Sequence, residues 1–138
     1  MSQLTIFLAR LLGLFTILVI AAMMFRGGAV VEATFTNQPA MLIYGITSLG
    51  LGLAMVLGHN VWSGGAVPIL ITLIGWWILI RGVLLILLPA GEAVRLFDIL
   101  RYEELFYLYT GVTLIIGIFL TYRGFTTSVP FYAQQKAM

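Results

Sequence analysis

Long apolar stretches alternate with short polar ones along this chain, and the alternation occurs four times. Leu4 to Phe25 is apolar apart from Arg10, and the polar, glycine-containing run from Arg26 to Pro39 closes it. Ala40 to Leu57 follows, ending at the link Gly58-His59-Asn60-Val61-Trp62-Ser63-Gly64-Gly65. Val67 to Leu88 opens with Pro68 in its first turn, where a missing N–H costs nothing, and stops before Pro89. Leu105 to Tyr122 has Tyr102, Phe106, Tyr107 and Tyr109 at one end and Tyr122 and Phe125 at the other, the placement of interfacial aromatic belts. Each stretch is close to the roughly 20 residues that a bilayer crossing requires. Lipid cannot satisfy backbone polar groups, and closed barrels show alternating short strands, so all four stretches are expected to be helices. The predicted fold class is therefore all-α, a single integral membrane bundle of four transmembrane helices over residues 1–138.

The first stretch is too long for the apolar core of a secretory signal, and no Lys or Arg precedes it, so a retained anchor is expected. Four crossings place both termini and the 58–65 link on one side of the membrane, called side A here, with the 26–39 and 89–104 links on side B. Between the third and fourth spans, Gly91 to Glu104 interleaves six charges with Val94, Leu96, Phe97, Ile99 and Leu100. Glu92 with Arg95, Asp98 with Arg101, and Arg101 with Glu104 stand at i, i+3, where opposite charges meet on one helix face. An amphipathic interfacial helix is expected there, or the solvated start of a long fourth helix. Residues 123–138 form a tail whose end is polar.

Composition agrees with the pattern: 62% of the 138 residues are hydrophobic and 9% charged, and the mean hydropathy is +1.11. A soluble domain carries about 25% charged residues. Seven Lys and Arg against five Asp and Glu give +2, and no basic patch supports nucleic-acid binding. Zero cysteines exclude disulfides and thiolate chemistry. Side A carries Arg10, Arg123 and Lys136, and side B carries Arg26, Arg95 and Arg101, so the positive-inside count is even. The orientation adopted puts side A, with the termini, in the cytoplasm.

Shifting the chain by 62 to 65 positions sets Leu12-Gly13 against Ile74-Gly75, Ala29-Val30 against Ala93-Val94, Tyr44 against Tyr109 and Gly52 against Gly117. Two crossings separate such halves, so a repeat of this kind is parallel.

Helices in lipid associate through close packing of small residues and a few polar contacts. Two stripes have that spacing: Thr47, Gly50, Ala54 and Gly58 in the second span, and Thr110, Thr113, Gly117 and Thr121 in the fourth. They are expected to pack helices of one bundle or of neighbouring protomers.

Arg81 is the deepest charge. It lies about 12 Å from the Pro89 end of its span, where an arginine costs about 2.5 to 3.5 kcal/mol on insertion scales. All five acids, Glu32, Glu92, Asp98, Glu103 and Glu104, fall in the side B links, and Glu32 and Glu92 are the preferred partners. An ion pair that fixes register is one role for Arg81; binding an anionic headgroup, a carboxylate or a quinone carbonyl is the other. Arg10 lies nearer its surface and is expected to snorkel. Trp76 and Trp77 fall in mid-span, packing inside the bundle or walling a pocket for a flat or isoprenoid ligand. His59, the single histidine, is expected to serve the turn; a metal-ligand role is the weaker reading, and no metal cluster, nucleophile triad or phosphate-binding loop occurs.

The string His59-Asn60-Val61-Trp62, followed by Gly75-Trp76, Arg81-Gly82 and Leu88-Pro89, resembles a family of small four-helix proteins of the bacterial inner membrane. The likeness covers mainly residues 40 to 90. It implies the four-helix topology and a bacterial cytoplasmic-membrane location, and no activity. A looser likeness to DoxX-type four-helix proteins rests on size and span count and transfers no residue.

The functional expectation is a non-enzymatic membrane protein that acts as a homo-oligomer or as an accessory subunit of a membrane complex. Two further classes remain open: a small transporter or channel for an anionic solute with Arg81 on its path, and a protein that binds lipid, pigment or quinone through Trp76, Trp77 and Arg81. Membrane lipid is the expected partner, and bound lipid or quinone the expected ligand.

Overall fold

The computed structural model describes residues 1–26, 36–89, 91, 92, 95, 99 and 102–127, with side chains from 105 onward in the last stretch. Four helices account for the apolar stretches: α1 (Gln3–Arg26), α2 (Gln38–Gly58), α3 (Ala66–Leu87) and α4 (Tyr102–Thr126). Each is long and apolar enough to cross a membrane, and no strand occurs among the described residues. Their limits follow local chemistry. Asn37 caps α2, its side chain accepting the Ala40 N–H at 3.3 Å, and Pro39 occupies the first turn. Gly64 and Gly65 reverse the chain between α2 and α3 with φ of +90° and +117°, a region closed to most side chains. Pro68 sits in the first turn of α3, where N–H groups have no intrahelical partner, and Pro89 follows its end.

α4 begins at Tyr102 and runs to Thr126, beyond both predicted limits of 105 and 122. Tyr122 and Arg123 tolerate the interface, and the Thr126 hydroxyl donates to the Tyr122 carbonyl at 2.7 Å. Most of the predicted amphipathic segment lies outside the described residues. Gly91, Glu92, Arg95 and Ile99 are helical, and Arg95 pairs with Glu92 at 3.0 Å. The pairs Asp98 with Arg101 and Arg101 with Glu104 lie outside, as do Glu32 and the 128–138 tail.

Helices neighbouring in sequence are not uniformly neighbours in space. α2 packs antiparallel on α3, α1 packs antiparallel on α4, and a narrower α1–α3 contact joins the two pairs. Glycines make both long seams. A side chain at Gly52 would collide with Leu79, and one at Gly82 with Leu49; Gly45 sits against Ile86 and Gly75 against Met55. In the other pair Gly13 meets Gly117 and Thr121, Gly117 meets Thr16, and Gly124 meets Ala9 and Arg10. In lipid the hydrophobic effect no longer drives one helix onto another, so the close approach that glycine permits supplies the attraction as dispersion.

The seams correspond under the sequence shift. Gly75 meets Met55 and Val56 as Gly13 meets Thr121, and Gly52 meets Leu79 as Gly117 meets Thr16. Exchanging α1 with α3 and α2 with α4 therefore maps one seam onto the other. The α1–α3 contact lies between the seams, on the line this exchange leaves in place.

That central contact is concentrated at side A. Ala9, Val67, Ile71 and Leu120 form a fully buried cluster, with Leu8, Leu12, Leu70, Ile74 and Ile116 packed around it. Toward side B the same helices expose Val19, Met24, Val83 and Leu87. Only 17 to 28% of the apolar window of each helix is buried within the chain. Most of the apolar surface thus faces outward, as lipid contact requires.

Candidate functional site

Two polar sets interrupt the apolar body, one at each side of the membrane. At side A, His59 ends α2, its backbone N–H donating to the Met55 carbonyl at 2.7 Å. Its ring is buried, with Nε2 2.9 Å from the Thr5 hydroxyl and Nδ1 3.5 Å from the Thr72 hydroxyl. Thr5 continues to the Ser2 hydroxyl at 2.7 Å. Thr72 accepts the Val61 N–H and donates to the Val61 carbonyl, both at 3.0 Å. No buried side-chain nitrogen or oxygen among the described residues lacks a hydrogen-bond partner. His59 therefore ties α1 to the α2–α3 turn. Its ring nitrogens face hydroxyls, and no group of three metal-ligating side chains occurs among the described residues.

Arg10 belongs to the same end. Its Nε donates to the Gly124 carbonyl at 2.8 Å and its guanidinium lies 4.9 Å from the centre of the Phe125 ring. Cβ on a helix tilts toward the N-terminus, which for α1 is side A, so Arg10 reaches its surface with the grain. It satisfies a carbonyl in the last turn of α4, at the negative end of that helix dipole. The Gly124 and His59 carbonyls correspond under the repeat: Arg10 donates to the former at 2.8 Å, and the Thr72 hydroxyl lies 3.4 Å from the latter.

At the side B half, Arg81 is exposed on α3. The expected pair with Glu92 is absent: Glu92 bonds Arg95, the one ion pair among the described residues. α3 also tilts its side chains toward side A, so Arg81 reaches the side B surface only against that tilt. Trp76 and Trp77 are 38% and 68% exposed, so neither packs inside the bundle nor walls an enclosed pocket. Gly75 and Gly82 occupy the inward face, and the next two residues turn outward by roughly 100° each.

The predicted packing stripes divide. In α4, Gly117 and Thr121 lie on the α1 seam and Thr110 is buried, whereas Thr113 is exposed with its hydroxyl donated to the Tyr109 carbonyl. In α2 none of the stripe is used among the described residues. Thr47, Gly50, Ala54 and Gly58 are exposed, and a methyl added at Gly50 or Gly58 would meet nothing within 4 Å. The α2–α3 seam is built instead on Gly45, Gly52, Gly75 and Gly82, pairs seven residues apart. That spacing keeps a residue on one face of a helix, and it is the signal that a search for four-residue spacing passes over.

A recess of about 300 Å³ at the side B end of α1 is lined by Val19, Ala22, Met23 and Arg26. Its described lining comes from one helix and carries no constellation of reactive groups.

These features define a multi-pass α-helical membrane protein whose polar side chains join and cap helices at side A. No protein-family model, curated protein or solved structure matches the chain.

Proposed function

We propose that this chain is a non-enzymatic protein of a bacterial inner membrane that acts by assembling with copies of itself through the outer face of α2. The observation that carries this reading is the unused stripe Thr47, Gly50, Ala54 and Gly58. Other glycines serve both internal seams, while four small residues at helix-packing spacing stay on the surface. A lipid-facing helix gains nothing from such a stripe; a second helix gains close approach. Side A, with the termini, is proposed to be cytoplasmic, which a reporter fused to the C-terminus tests.

Native mass spectrometry of the protein extracted in mild detergent tests the assembly. The expected species is a homo-oligomer, and Gly50→Leu with Ala54→Leu should reduce it to protomers with helix content unchanged. Oligomers that survive both substitutions would remove the α2 face from the proposal. A monomeric wild type would overturn self-assembly, and a second chain of different mass would replace it with the accessory-subunit reading.

A further inference from the structure

The side A cluster provides a ruler for the rest of the α1, α3 and α4 contact. Ile74 and Ile116 pack against that cluster, and Leu120 belongs to it. Seven residues further toward side B stand Arg81 after Ile74 on α3, and Tyr109 and Thr113 before Ile116 and Leu120 on α4. Seven residues along an α-helix return to the same face within about 20°. They rise about 10 Å. Arg81, Tyr109 and Thr113 therefore continue the faces that close the core at side A, with Tyr109 one helical turn, about 6 Å, nearer side B than Thr113. There the residues are polar and exposed where Leu120 is buried and Ile74 and Ile116 are partly buried: Arg81 and Thr113 are exposed and Tyr109 is 39% exposed. The faces of α3 and α4 that close the core at side A are thus open at this level, with a guanidinium on one of them and exposed apolar residues such as Val83 and Val112 beside them.

The chemistry of these open faces is specific. An arginine at this depth needs an anionic or carbonyl partner, and Glu92, the one acid with a described side chain, pairs with Arg95 instead. A face open to the bilayer admits a molecule that is already there, with acyl chains for the apolar residues and an anionic head for the guanidinium. Planar guanidinium pairs with phosphate through two parallel N–H donors. The geometry points to these faces as a binding site for an anionic phospholipid, its phosphate on Arg81 and its chain between α3 and α4. Thr113 continues the Leu120 face of α4 toward side B and is exposed there. The inference does not depend on self-assembly, because its residues lie on α3 and α4 and the proposed assembly face on α2.

The test is a titration of delipidated whole protein, followed by native mass spectrometry, with phosphatidylglycerol, phosphatidylcholine and glycerol phosphate as separate ligands. Phosphatidylglycerol should bind at one site per protomer at least tenfold more tightly than phosphatidylcholine. Arg81→Gln should weaken it tenfold or more, Arg81→Lys less, and Arg123→Gln, at the opposite side of the membrane, not at all. Thr113→Phe, which adds bulk on the α4 face without touching the charge, should weaken it similarly and keeps the test decisive if Arg81→Gln fails to fold. Unchanged binding in a folded Arg81 variant or in Thr113→Phe would overturn the site. Glycerol phosphate binding as tightly as the lipid would overturn the lipid assignment in favour of a soluble anion.

Discussion

At the scale of single residues, the two membrane-embedded arginines show how side-chain direction decides a role. Arg10 and Arg81 look alike in sequence, each one charge in an apolar span. Arg10 lies near the N-terminus of its helix, so Cβ tilt carries it toward its own surface and onto the Gly124 carbonyl. Arg81 lies near the C-terminus of α3 and meets no such carbonyl among the described residues. Replacing Arg10 by Met should therefore destabilise the protein by about 1.5 to 3 kcal/mol, the range for a charge-assisted hydrogen bond. Reversible unfolding in dodecyl sulfate, followed by circular dichroism, measures it. His59 joins elements that the backbone does not connect directly, through Thr5 and Thr72. His59→Ala should cost about 1 to 3 kcal/mol by removing these bonds from a buried site, and an unchanged unfolding midpoint would refute the latch. Arg10 and His59 were visible in the sequence as isolated polar residues. Their partners were not, since Thr5 and Gly124 lie far from them along the chain.

At the scale of helices, the seams rest on glycines that the neighbouring backbone leaves no room to replace. Gly52→Val or Gly82→Val would press on the Leu79 or Leu49 backbone. Each should destabilise the α2–α3 pair by about 1 to 3 kcal/mol or more, as overpacking does. Gly50→Ala meets empty space in the chain and should leave the unfolding midpoint of the dissociated protomer unchanged. A loss at Gly50 as large as at Gly52 would show that the seam has been placed on the wrong face. The spans themselves were legible because bilayer crossing depends on length and continuous apolarity, properties of the local sequence. Which glycine faces which helix was not: on an apolar helix every face is hydrophobic, so no polar side marks the outside. Trp76 and Trp77 illustrate the same loss of signal, pointing outward beside Gly75 although their mid-span position suggested an interior.

At the scale of the whole molecule, two antiparallel pairs meet through the buried cluster at side A, whereas Val19, Met24, Val83 and Leu87 are exposed toward side B, so the pairs are expected to part there. Spin labels report this directly, because the chain has no cysteine and each introduced one is unique. The pair Gln3→Cys with Ala66→Cys should give a shorter α1–α3 distance than Met24→Cys with Leu87→Cys. Equal distances would describe parallel helices and remove the opening expected at Arg81. The parallel correspondence seen on shifting the chain returns here as equivalent seams, α1 with α4 and α3 with α2.

The sequence by itself determined the number of crossings, their helical form, the side on which each link falls and the near-neutral charge balance. Each of these depends on residues close together in the chain and on the dielectric of the bilayer. Tertiary structure alone decided that α1 pairs with α4 and α2 with α3, that the Gly50 stripe stays outside, that Glu92 serves Arg95, and that Arg81 is exposed. Those outcomes depend on which faces of apolar helices approach most closely. Close packing measures shape to a fraction of an ångström, and hydrophobicity, the strongest pattern in this sequence, is the same on every face.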